Sequence, residues 1–143
     1  MPYRTLIPPR QPHEIVFAAF IGASSMPAAL GLAPLPLSIR SEAPGLMGRL
    51  VVIFLAFGCA TVVVGNIWPR PSDRRNVSIT ALLIERMGLS IAALGALLYA
   101  GAAWSYTGPG ALLALGFVAG FAVASIIVAW KITRALRALR QAQ

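Results

Sequence analysis

The chain has 143 residues, of which 58% are hydrophobic and 11% charged, with a formal net charge of +8 and a mean hydropathy of +0.78. A soluble domain of this size needs more polar surface to stay in solution. One His, one Cys and one Asp, Asp73, are too few for a metal cluster, a Ser-His-Asp arrangement or a thiol-imidazole pair, so neither catalysis nor a cofactor is expected.

The opening carries Pro2, Pro8, Pro9 and Pro12 and reads as an extended arm. Glu14 then suits the positive end of a first helix. Four apolar runs follow, at about residues 15–33, 50–68, 87–106 and 111–130, none containing Asp, Glu, Lys, Arg or His. Runs of this length match the hydrocarbon thickness of a bilayer. They lack the alternation of barrel strands, so each is expected to be a helix.

In the first run Pro27 lacks an amide proton and pushes against the carbonyl of Ala23, which predicts a kink relieved by Ser24 and Ser25. A hinge is the sharper alternative. Pro34 and Pro36 should end that helix, with Leu35, Leu37 and Ile39 holding the chain at the interface as far as Arg40. Gly31-Leu32-Ala33 is a loose signal-cleavage site followed by an unfavourable Pro34, so the segment is expected to stay uncleaved. Cys59, inside the second run, reads as a small apolar residue.

The second run ends at Trp68, and Pro69 and Pro71 break it. The basic loop after it offers Asn76 or Ser78 as a helix cap; the sequon Asn76-Val77-Ser78 carries no meaning on the cytoplasmic side. Ile79 to Arg86 should be helical at the interface, with Met87 entering the bilayer. Trp104 and Tyr106 mark the far end of this helix, and residues 107–110 make a tight turn into the fourth, which ends at Trp130.

Ten of the twelve basic residues fall on the side of the termini and only Arg40 and Arg49 on the other, which predicts both termini in the cytoplasm. The expected architecture is therefore all-α: one integral membrane domain over residues 1–143, a four-helix bundle in the cytoplasmic membrane. A short amphipathic C-terminal helix completes it. In that tail Ile132, Leu136 and Leu139 share one face, while Lys131, Arg134, Arg137 and Arg140 fill the rest, either to meet anionic lipid of the inner leaflet or simply to set the topology. The charge is spread over the flanks, so no nucleic-acid partner is expected.

Small residues recur at helical spacing: Gly116, Gly120 and Ala124 in the fourth helix, Gly88 with Gly95 and Ala92 with Ala96 in the third, Ala18 with Gly22 in the first. Such stripes let backbones approach closely in lipid. Packing within one bundle is the favoured use, with contact between copies, hence a homo-oligomer, as the alternative. A carboxylate pair of Glu14 and Glu85 at the inner face is conceivable, although no spacing requires it.

The opening Leu6-Ile7-Pro8-Pro9-Arg10-Gln11-Pro12-His13-Glu14 and the stretch Leu82-Leu83-Ile84-Glu85-Arg86-Met87-Gly88 resemble those of small four-span membrane proteins encoded by phages of actinobacteria. At its most specific the resemblance implies a holin-like protein that accumulates in the host membrane and opens it. A non-pore accessory protein, binding another membrane protein or altering the envelope, is the competing class. A transporter ranks third, because no span carries an ionisable residue.

Overall fold

The computed structural model describes residues 12–43, 45–67 and 79–141. The proline-rich arm, Trp68 and the basic loop with its Asn76 or Ser78 cap lie outside the described residues. Among those described, the chain is 92% helical and has no strand. The elements are α1 (Pro12–Ala29), a short α2 (Leu37–Glu42), α3 (Leu46–Ile67), α4 (Ile79–Thr107), a 3₁₀ turn (Gly108–Ala111) and α5 (Leu112–Gln141).

Three helical stretches are long and apolar enough to cross a membrane: Leu46–Ile67, Ile79–Gly110 and Leu115–Ala138. The first apolar helix is shorter, Ile15–Ala29, so the expected span to residue 33 is corrected. The helix does not wait for Pro34. It ends in a Schellman turn: Gly31 takes the left-handed φ of 75°, its amide donates to the Ala28 carbonyl at 3.2 Å, and the Leu32 amide donates to the Pro27 carbonyl at 2.8 Å. Pro27 thus lies in the last turns of a continuous α1, where the missing amide disturbs little. The Ser24 hydroxyl donates to Ile21 O at 2.9 Å rather than to the carbonyl that Pro27 leaves open.

α3 and α4 form the spine, an antiparallel pair in which glycine replaces the usual large side chains. A methyl group built on Gly88 would stand 2.7 Å from the backbone nitrogen of Val62, one on Gly95 2.8 Å from that of Leu55, and one on Gly65 2.8 Å from that of Glu85. Gly58 lies against the backbone of Ala92 in the same way. The facing positions 55, 58, 62, 65 and 85, 88, 92, 95 step by alternating threes and fours, the repeat of a coiled-coil seam. The helices therefore touch backbone to backbone, which maximises van der Waals contact where lipid supplies no hydrophobic drive.

α1 packs on α3, and α5 packs on α4. Ala18, Cys59, Val62, Leu82, Leu89, Ala92, Ala129 and Ile132 make up the largest buried cluster. A Cβ built on Gly22 would stand 3.0 Å from that of Cys59, so Ala18 and Gly22 serve the α1–α3 contact. α2 is tucked in by its fully buried Ile39, which reaches α3 because Gly48 has no side chain: a Cβ there would meet Ile39 Cγ2 at 2.7 Å. The outer surface stays apolar, with Phe20 74% and Phe117 64% exposed, as a lipid-facing surface requires.

Hydroxyls inside the helices are turned back on the preceding turn. Thr61 donates to Phe57 O at 2.7 Å, Ser90 to Arg86 O at 3.0 Å and Thr133 to Ala129 O at 2.8 Å, which satisfies them without water.

Candidate functional site

α5 divides its circumference between two uses. Leu115, Ala122, Ser125, Ala129, Ile132 and Ala135 are buried against the rest of the chain. Gly116, Gly120 and Ala124 are exposed on the other side, and a Cβ placed on Gly116 or Gly120 would meet nothing within 4 Å. The favoured expectation, that this ladder packs inside one bundle, is thereby corrected. The close helix contacts are carried instead by Gly88 and Gly95, singled out above, together with Gly58 and Gly65, which were missed. The seven-residue spacing of Gly58 and Gly65 repeats that of Gly88 and Gly95 and was the available signal.

The α1 and α5 backbones do not approach each other, so the four long helices form an open array, α1 on α3, α3 on α4, α4 on α5. Between α1 and α5 runs a groove of about 320 Å³, walled by Phe17, Phe117, Phe121 and Val128 with Leu89 as its floor, and the ladder lies along its α5 lip. An exposed run of small residues beside such a groove is a surface on which another helix can seat closely.

The tail is a further correction. α5 continues without a break from Leu112 to Gln141, so the C-terminal segment is not a separate helix lying along the membrane. Ile132 is buried at 4% exposure, and Leu136 packs on the same cluster, beside Leu82 and Val62. Ile132 and Leu136 are therefore used inside the chain, and the side chains of Leu139 and Arg140 lie outside the described residues. Lys131, Arg134 and Arg137 are exposed on the other side. The Arg134 guanidinium lies 3.7 Å from the centre of the Trp130 ring, a cation–π contact worth about 0.5–1 kcal/mol at an exposed site. Arg134→Ala is accordingly expected to lower stability by no more than about 1 kcal/mol, read from denaturant titration in micelles. A larger loss would show that Arg134 holds something beyond its neighbouring ring.

Glu85 is buried, with its backbone over Gly65. The side chain of Glu14 lies outside the described residues. Among those described, no group of three His, Cys, Asp or Glu side chains gathers as a metal site. Fold and composition define the class as an all-helical protein with three helices able to cross a membrane. Comparison with protein-family models, curated proteins and solved structures finds no match.

Proposed function

We propose that the chain is a four-span protein of the cytoplasmic membrane, with both termini inside, that associates with further copies through the outer face of α5 and permeabilises the membrane in the manner of a holin. The observation that carries this reading is the exposed ladder of Gly116, Gly120 and Ala124, which no described residue covers. α1, with 18 residues, is about 27 Å long. That is close to the roughly 30 Å of a hydrocarbon core, so it serves as the fourth crossing with the Gly31 turn and α2 at the outer interface. The distribution of basic residues supports the orientation.

Topology is checked by reporter fusions. Fusions after Gln143 and within residues 70–76 should read cytoplasmic and those within 107–110 external; an external C-terminus would remove the orientation. Function is checked by expression in a bacterial host, where the membrane potential should collapse abruptly after a delay. Gly120→Leu should abolish the collapse while insertion and accumulation stay normal, because a Cβ at this position meets no described atom within 4 Å while the added bulk holds a neighbouring helix away. If the potential is unaffected while the protein is plainly inserted, the accessory reading replaces this one.

A further inference from the structure

Two cavities meet at the outer end of α1, and their chemistry is complementary. The first, about 440 Å³, is walled by the turn after α1 and by Arg40 of α2 and Arg49 of the first turn of α3. The second, about 270 Å³, lies deeper among α1, α3, α4 and α5 and is lined mainly by apolar side chains, among them Ile21, Val52, Leu55 and Phe121. Ala28 lines both, and the adjoining residues Leu35 and Pro36 line one each. The basic chamber and the apolar one therefore adjoin across Ala28.

We propose that this pair of chambers binds an anionic single- or double-chain lipid of the outer leaflet, with its oxyanion held between Arg40 and Arg49 and an acyl chain lodged against Leu55 and Phe121. The proposal rests on the chain being embedded in a bilayer and is independent of assembly through α5. Two arginines lining one cavity suit the oxygens of a phosphate or carboxylate. Neither guanidinium makes an ion pair or hydrogen bond with the described residues. Glu42 is the acidic residue nearest in sequence; it is exposed, and its place two residues after Arg40 on a helix turns it away from the same side. Arg40 and Arg49 are also the two basic residues that the positive-inside distribution leaves outside. A shared cavity gives those exceptions a use.

The deeper chamber explains why the occupant carries a chain. At about 270 Å³ it is well above the roughly 150 Å³ of an apolar cavity that takes up benzene, and no charged side chain lines it. Ser24, Ser25 and Tyr99 are its hydroxyl groups. Those of Ser25 and Tyr99 make no hydrogen bond with the described residues, so they are available to the ester carbonyl or glycerol oxygens that lie between a lipid head and its chains. A free inorganic anion would use the arginines and leave these groups and the apolar walls idle.

The test uses the full chain in an uncharged detergent, with dodecyl phosphate, dodecanol and inorganic phosphate as probes and native mass spectrometry as the readout. Dodecyl phosphate should bind at least about tenfold more tightly than dodecanol, a difference of ~1.4 kcal/mol, and inorganic phosphate should not displace it. The double variant Arg40→Gln with Arg49→Gln should remove that advantage while leaving helicity and dodecanol binding unchanged; Lys at both positions should restore most of it. Val118→Trp, which narrows the deeper chamber from a partly exposed position, should weaken both alkyl probes. Displacement by inorganic phosphate at comparable concentration would make this a free-anion site and overturn the lipid assignment. Equal binding of dodecanol, or unchanged binding by the double Gln variant, would overturn the role of the arginines.

Discussion

Gly88→Ala is expected to destabilise the folded chain by about 1–3 kcal/mol, whereas Gly120→Ala leaves it unchanged or stabilises it by up to about 1 kcal/mol. The two substitutions add the same methyl group to the interior of a helix, and the intrinsic preference of Ala over Gly favours both equally. They differ in what the methyl meets. At position 88 it would lie 2.7 Å from Val62 N and 2.9 Å from the Gly58 carbonyl oxygen, both backbone atoms of the opposing helix; at position 120 nothing stands within 4 Å. Backbone cannot swing aside as a side chain can, so α3 and α4 must separate, and the separation propagates along a seam whose other contacts are equally close. Gly88→Leu should therefore prevent accumulation altogether, while Gly120→Leu should accumulate normally. The measurement is a denaturant titration in micelles, followed by circular dichroism. If Gly88→Ala and Gly120→Ala shift the midpoint in the same direction, the assignment of the two glycine sets is wrong.

The sequence specified helices, their approximate limits and the small-residue stripes, because these depend on local composition and on the 3.6-residue repeat. It did not separate the stripes by use. The Gly88–Gly95 stripe and the Gly116–Gly120–Ala124 ladder have the same kind of spacing, and only the arrangement of the helices shows that one is buried in a backbone seam while the other faces outward. Pro34 and Pro36 draw the expected end of α1 past the glycine that sets it. Gly31 can adopt the left-handed turn that closes the last carbonyls, and that turn ends a helix before Pro34 is reached. The chambers near Arg40 and Arg49 were out of reach of sequence. They depend on Ile39 crossing back over Gly48, a contact between α2 and α3 that no periodicity encodes. The ladder itself was named from its spacing alone, and the structure added that it is uncovered.

The tail carries the second large effect. Ile132→Ala is expected to cost about 2–5 kcal/mol, the range for emptying a buried aliphatic position, although sequence alone assigns Ile132 to a face lying on lipid. The reason is its place in the main cluster with Leu82, Val62 and Leu89 at 4% exposure, where its loss leaves a void between α4 and α5. Replacing Lys131, Arg134 and Arg137 together by Gln tests the other face. These side chains are exposed, and apart from the small Trp130 contact their removal should change stability by about 1 kcal/mol at most. Binding of the reconstituted chain's basic tail to anionic vesicles should, in contrast, weaken by about 1 kcal/mol for each charge removed and become less dependent on salt. The two faces of one continuous helix thus divide into a packing role and an electrostatic one, and paired measurements of unfolding and vesicle binding separate them. A stable Ile132→Ala chain with impaired vesicle binding would return the apolar face to the membrane and require α5 to part from α4 beyond Trp130.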